Sequence, residues 1–246
     1  MSQHTIKQYN AIVLGGTGGV GAYLVEKLLA SSLCAKVTVI SRKELSLSSK
    51  LKVEIWNNFS NTLFHKQKDV INIFKNNDVV FCCLGAPESA LIGLFYNPWK
   101  FSKMFRKVDY EYVVEFAKIA NIAGVTHFSV ISSPTANPNA KFIYSKIKGE
   151  MEEDLKKINF SKLSIFHPWH LMKVAKKNES RWKKNLKNSI AFIAKILPAK
   201  QKAILVEDVA EAMKNEYEKS CIEEGDKVKY YHADNMRKLV NINKIK

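Results

Sequence analysis

Ala11–Leu24, AIVLGGTGGVGAYL, decides the fold. The apolar run Ala11 to Leu14 ends in Gly15-Gly16-Thr17-Gly18-Gly19-Val20-Gly21, and the amphipathic segment Tyr23 to Leu33 follows at once. That order reads as strand, tight glycine turn, helix. A backbone turning so sharply needs residues without a Cβ, and the amides at the helix start are then open to a phosphate. Gly15, Gly18 and Gly21 are spaced GxxGxxG, not GxGxxG as in the best-known dinucleotide fingerprint. Their position between a strand and a helix favours a dinucleotide site over a purely structural turn.

Working outward, Lys36 to Ser41 (KVTVIS) is a β-branched second strand that ends at Arg42-Lys43. In a dinucleotide fold this strand end meets the adenosine ribose. An acid there suits the 2′-hydroxyl of NAD, and cations suit the 2′-phosphate of NADP, so Arg42 and Lys43 favour NADP(H). Leu51 to Trp56 reads as a third strand and Asp69 to Phe74 as part of a helix. Asp78 to Gly85 (DVVFCCLG) reads as a buried fourth strand whose Leu84-Gly85 end would touch the cofactor. Gly85 to Met104 is irregular, and its aromatic stretch Leu91 to Trp99 is expected to fold back on the core, cap a substrate pocket or dock a partner. Val108 to Ala123 then reads as a long helix, Val125 to Ile131 as a fifth strand ending on Ser132-Ser133, and the segment around Tyr144 as a further helix. Apolar strands separated by helices predict an α/β, Rossmann-like, doubly wound parallel sheet with helices on both faces.

The chain has 246 residues, which suits one such domain, with a core at about 10–170 and a basic C-terminal part at 171–246. It has no run of 18 apolar residues, so no transmembrane segment is expected. MSQHTIKQYN lacks the apolar centre of a secretory signal, which makes a cytoplasmic location the default. Cys34, Cys82, Cys83 and Cys221 have no metal-ligand spacing, and neither a metal nor a disulfide is expected. Net charge is +16, yet the basic residues are 35 lysines against four arginines, a bias that genome composition can produce. Nucleic-acid surfaces mix arginine and aromatics among their lysines, so no specific nucleic-acid partner is expected. The charge is densest between Lys173 and Lys202, where ten basic residues face one acid and apolar residues from Trp182 to Leu197 recur at helical spacing.

Tyr144 and Lys148, four apart, share one face of their helix. Tyr23/Lys27 and Tyr96/Lys100 have the same spacing, but only Tyr144/Lys148 follows a strand ending in serines. Reducing a carbonyl with a nicotinamide cofactor requires a hydride and a proton for the developing alkoxide. A free tyrosine, with a pKa of about 10, is a poor acid–base near neutrality, and a nearby ammonium lowers that value. Ser133, or Ser132, would orient the substrate oxygen.

GGTGGVG, VTVISRK, FCCLG, VDYEYVVEFAKIANIAGVTHFSVISS and FIYSKIKGEMEEDLKKINFSKLSIFHP together resemble the Tat-interacting-protein oxidoreductases, atypical members of the short-chain dehydrogenase/reductase superfamily. The likeness runs from about residue 10 to 170 and continues more weakly through ILVEDVAEAM. It implies an NADPH site in which Gly15, Thr17, Gly18, Gly19 and Val20 form the phosphate loop and Arg42 and Lys43 hold the 2′-phosphate. Leu84 and Gly85 would lie beside the nicotinamide, Tyr144 and Lys148 would act on substrate, and Leu171 would be a further contact. Arg181 joins them only if a short insertion is assumed. Where the family has Arg-Pro-Gly after the sixth strand, this chain has His167-Pro168-Trp169-His170; the tryptophan would reshape the nicotinamide wall, and the histidines are packed strand-end residues or added proton donors. Asn57 and Asn58 stand where the family carries an acid for adenine. The leading expectation is an NADPH-dependent reductase of a small-molecule carbonyl substrate. The alternative is a non-catalytic NADP(H)-binding scaffold or accessory subunit, in a mitochondrial complex for example, with a protein partner at 91–99 or at the basic 173–202 segment.

Overall fold

The computed structural model describes residues 8–45, 48–86, 98–172, 203–223 and 225–241, with backbone alone at 98–101. Residues 91–97 of the aromatic insertion, Tyr96, Arg181 and the basic 173–202 segment lie outside the described residues.

In chain order the elements are β1 (Tyr9–Leu14), α1 (Gly19–Ala30), β2 (Cys34–Ser41), β3 (Leu51–Ile55), α2 (Phe59–His65), α3 (Gln67–Phe74) and β4 (Val79–Cys82). Then come α4 (Pro98–Arg106), a π-helical turn (Lys107–Glu111), α5 (Tyr112–Ile122), β5 (His127–Ile131), α6 (Ile143–Lys157) and β6 (Lys162–His167). The last are β7 (Leu171–Met172), β8 (Ile204–Leu205), α7 (Val206–Ser220), β9 (Val228–His232) and α8 (Ala233–Asn241). Seven strands form one parallel sheet in the order β3-β2-β1-β4-β5-β6-β9, and β7 and β8 pair separately.

Side-chain alternation along each strand feeds two cores. Ile12, Leu14, Val80, Cys82, Phe128, Val130 and Ile165 meet α2, α3, α5 and α6 on one face. Ala11, Val13, Val37, Val39, Phe81 and Phe166 meet α1, α7 and α8 on the other. The predicted α/β doubly wound sheet is therefore observed, with Cys82 and Cys83 directed to opposite faces as their adjacency implied. Strand order reverses beside β1, where β2 and β4 flank it, and in open α/β sheets that switch point opens the ligand crevice.

Two local expectations are corrected. The helix expected from Val108 begins at Pro98, a residue suited to a first helical turn, and is interrupted by the π turn. Asp208, whose place before Val209 to Tyr217 reads in the sequence as an N-cap, lies instead inside the first turn of α7 beside Glu207, where acids favour the helix dipole. Asn58 caps α2 by accepting the Asn61 N–H at 3.0 Å. The residues from Lys227, to which the sequence assigns no element, supply β9 and α8.

At the end of the sheet away from the crevice, Glu216 of α7 is 3% exposed and accepts the Tyr231 hydroxyl at 3.0 Å. Its other oxygen lies 3.4 Å from His127 Nε2, which is 2.9 Å from Ser164 Oγ. Burial alone would raise the Glu216 pKa, but His127, Ser164 and Tyr231 outweigh it and hold the carboxyl below its ordinary range. A depressed carboxylate pKa stabilises the fold above the unfolded value, near 4.5, and that contribution fades as pH falls through the folded value. Glu216→Gln is expected to lower stability by about 2 kcal/mol at pH 7. It should also reduce the loss of stability on acidification, as read from melting temperatures between pH 7 and pH 3.

Candidate active site

The glycine turn folds as its composition demands. Gly15 has φ +78°, and a Cβ there would lie 2.7 Å from the Cys83 carbonyl oxygen. The turns after β1 and β4 are thus in backbone contact at the switch point. Gly18 N–H donates to the Gly15 carbonyl at 2.9 Å, and a Cβ on Gly21 would lie 2.2 Å from that same oxygen. Gly18 caps α1 with no side-chain hydrogen bond, and no acid stands in the first turn. Thr17, Gly18 and Gly19 are exposed while Val20 packs into the core. Uncapped amides, close backbone approach and absence of an acid are the properties a pyrophosphate site requires, so the residues fit a dinucleotide.

Arg42 and Lys43 leave β2 exposed, with the Lys43 N–H donating to the buried Ser41 hydroxyl at 3.0 Å. This side-chain turn fixes the backbone of two cations at the strand end. Leu84 leans on the core and Gly85 is exposed beyond it. Leu171 is partly buried in β7 and packs against the α1 side.

Tyr144, Lys148 and Glu152 follow one another at i, i+4 and i+8 on α6, and the C-terminal ends of β5 and β6 lie against that stripe. Tyr144 is half-buried with its ring edge-on to Phe105, centroids 5.7 Å apart. Lys148 is 3% exposed; its Nζ is 2.9 Å from Asp109 Oδ1 and donates to the Ile131 carbonyl at 3.3 Å. Burial alone would lower the Lys148 pKa, but Asp109 and the Tyr144 phenol hold it above the ordinary lysine value. The ammonium therefore stays charged at neutral pH, one helical turn from the Tyr144 phenol. By contrast Lys27 of the Tyr23/Lys27 pair bonds Glu207 and Glu211, which marks a structural salt bridge between α1 and α7.

The two serines diverge. Ser132 Oγ donates to Glu152 Oε1, which also bonds His167 Nε2 at 2.8 Å; His167 is thus the packed strand-end residue of the two alternatives. Ser133 Oγ lies 3.0 Å from Thr135 Oγ1, to which Ser145 of α6 donates at 2.9 Å. The loop after β5 is thereby clasped to the helix turn that carries Tyr144. Burial raises the Cys82 thiol to about 12 and the Cys83 thiol well above its ordinary value, so neither is a nucleophile at neutral pH. Among the described residues no group of three or more His, Cys, Asp or Glu could hold a metal, and no helix is long and apolar enough to cross a membrane.

Asp109, Thr135 and Glu152 were not foreseen. The signal for Asp109 lay in VDYEYVVEF, because an acid four residues before Val113 falls on the stripe that Val113, Phe116 and Ala120 bury. Glu152, beside Met151 and four residues after Lys148, breaks the apolar stripe of α6 in the same way.

A family profile described as NAD(P)H-binding matches residues 15–214. Protein HTATIP2 of Rattus norvegicus is 31% identical over 165 residues, 66% of this chain and 63% of that protein, so the match spans less than two thirds of that relative. Protein FMP52-1, mitochondrial, of Scheffersomyces stipitis is 29% identical over 245 residues, 94% of this chain and 98% of that protein. Among solved structures, the oxidoreductase ylbE from Lactococcus lactis superposes with a TM-score of 0.60 at 16% identity, covering 94% of this chain and 97% of the other. A UDP-N-acetylglucosamine 4-epimerase from Methanobrevibacter ruminantium gives 0.62 at 17% identity, covering 92% and 77%. At these identities the likeness is one of fold.

Proposed function

The chain belongs to the NAD(P)H-binding family, in the Tat-interacting-protein group of atypical short-chain dehydrogenases/reductases, and from that premise we propose that it is an NADPH-dependent reductase of small carbonyl compounds. The observation that carries this reading is the buried ammonium of Lys148, one helical turn from Tyr144 on α6 at the crevice end of the sheet.

The proposed division of labour follows from the geometry. The amides of Gly18, Gly19 and Val20, with Gly15, Thr17 and Gly21 shaping the turn, would hold the pyrophosphate. Arg42 and Lys43 would take the 2′-phosphate, and Leu84, Gly85 and Leu171 would flank the nicotinamide. When bound, NADPH supplies the hydride. Tyr144 Oη would give its proton to the carbonyl oxygen as negative charge builds there, and then regain one from solvent. Lys148 would favour the phenolate left behind and steady the ribose. Ser133 fits the orienting role better than Ser132, whose hydroxyl is committed to Glu152. Trp169, 41% exposed just past β6, would line the substrate side. The names of the fungal relatives support a mitochondrial location over the cytoplasmic default.

The test is fluorescence titration with NADPH and NADH, followed by a screen of aldehydes, ketones and quinones for cofactor oxidation. Tighter binding of NADPH together with turnover of at least one carbonyl is the expected result. Binding without turnover would instead support a non-catalytic cofactor-holding protein, and no binding would overturn both. Exchanging Arg42 and Lys43 for alanine should weaken NADPH binding about 30-fold and leave NADH nearly unchanged, since only the 2′-phosphate loses its charge-assisted partners.

A further inference from the structure

We propose that the carbonyl reduced at this site is borne on an uncharged aromatic ring, and that Phe142, beside the Tyr144 phenol, is the residue that recognises the ring. The inference names a substrate class for Tyr144 and so rests on the reductase reading given above. Phe142 is the N-cap of α6, and its carbonyl accepts the Lys146 N–H at 3.0 Å. Helices favour Ser, Thr, Asp or Asn at this place because their side chains accept an amide that the helix leaves unpaired, and Phe142 makes no such bond. Nor does its ring fill the core, being 54% exposed. Neither capping nor packing accounts for a phenyl group here. What it does meet is the catalytic ring, with the Phe142 and Tyr144 centroids 6.3 Å apart and their planes at 56°.

The surroundings share that character. Phe105 meets Tyr144 at 76°, and Ala86, Met104 and Ile143 belong to the same small apolar cluster. Trp169 and Met172, which follow β6 at the crevice end of the sheet, are exposed as well. Against these stand a few placed polar groups, the Tyr144 hydroxyl and the Ser133–Thr135–Ser145 clasp. An apolar wall for the body of a ligand, with a few polar groups that fix its orientation, is how small-molecule sites are built. Arg106, next to Phe105, is held by Glu150 at 2.7 Å, and Lys148 by Asp109 at 2.9 Å, so neither cation is left for a carboxylate or phosphate on the substrate.

Phenyl rings favour an aromatic body over an aliphatic one. Aromatic rings attract one another edge to face through their quadrupoles, beyond the area they bury, whereas a saturated ring of the same size gains from the area alone. A ring bonded directly to the carbonyl carbon would lie against Phe142 while the oxygen reaches Tyr144 Oη. The carbonyl carbon would accept the hydride that NADPH gives up on becoming NADP⁺, the C=O π pair would move to oxygen, and the oxygen would take the Tyr144 proton. The product is an aryl carbinol.

The experiment is calorimetric titration of NADPH-saturated protein with 2-naphthylmethanol, a product-like alcohol that cannot react while the cofactor is reduced. Decahydro-2-naphthylmethanol, its saturated counterpart, should bind about tenfold more weakly, and 6-carboxy-2-naphthylmethanol at least as weakly. Phe142→Ala and Phe142→Leu should each erase most of the aryl preference, and Phe142→Tyr, which keeps a ring, should retain it within about threefold. Equal or tighter binding of the saturated or carboxylated alcohol would overturn the proposal. So would an aryl preference that survives in the alanine and leucine variants, or one lost equally in the tyrosine variant. Should Phe142→Ala fail to fold, the leucine variant carries the test. The titration needs no turnover: aryl preference without oxidation of cofactor by any carbonyl would sink the reductase reading and leave the aromatic site standing. Turnover of carbonyls with no such preference would do the reverse.

Discussion

Tyr144→Phe protein is expected to bind NADPH as tightly as the unsubstituted chain and to reduce carbonyls about a thousandfold more slowly. The magnitude is that of losing a positioned general acid, typically 10²–10⁴ in rate. The selectivity comes from where the residue sits. The Tyr144 ring is braced edge-on by Phe105 and flanked by Phe142, contacts a phenylalanine keeps, so neither α6 nor the glycine turn should move. Only the hydroxyl is removed, and none of the phosphate-side residues depends on it. Stopped-flow cofactor oxidation and fluorescence binding on one preparation provide the check. If turnover survives within threefold, the proton comes from another group. If binding falls in parallel with turnover, Tyr144 is a cofactor ligand and not the acid.

Gly149→Ala is expected to cost about 3 kcal/mol of stability and to lower turnover roughly a hundredfold in the protein that still folds. A Cβ at Gly149 would stand 2.2 Å from Pro138 N, 2.3 Å from Asn137 C and 2.6 Å from Asn137 N. All three are backbone atoms, so no side-chain rotation can make room. Either the 137–138 loop or α6 must move by more than an ångström. Asn137 N–H donates to the Ser145 carbonyl at 3.0 Å in the same seam, so the loop cannot leave without breaking a clasp near Tyr144. For a domain of this size the loss corresponds to a melting temperature lower by about 10 °C. NADPH affinity should fall far less than turnover, because Gly15 to Gly21 lie in the β1–α1 turn and the first turn of α1, away from the seam. A melting temperature within 2 °C of the parent would show that the loop gives way cheaply.

The glycine turn was legible because everything it needs is local. Strand, glycines and helix are contiguous, and the φ of Gly15 and the crowding at Gly21 are consequences of the turn itself. The ends of β2 and β4 were readable for the same reason. Tyr144 and Lys148 could be separated from Tyr23 and Lys27 because strand-end serines precede only one pair. What stayed hidden depends on contacts distant in sequence. Lys148 is a plain helical lysine until the π turn before α5 brings Asp109 against it. Gly149 looks like a weak point in a helix until the loop at Asn137 and Pro138 is folded onto it. The tail β9–α8 carries no strong alternation of its own, since β9 is an edge strand whose residues are only partly buried, and pairing with β6 is what defines it.

Glu152 gathers Ser132 from the end of β5 and His167 from the end of β6 onto the helix that carries Tyr144 and Lys148. Substituting any one of the three strands a polar group in the interior, at a cost of roughly 1–3 kcal/mol, while replacing them together by apolar side chains of matching shape need not. Evolution would therefore treat positions 132, 152 and 167 as one inherited character, varying together across descendants of this chain and seldom one at a time.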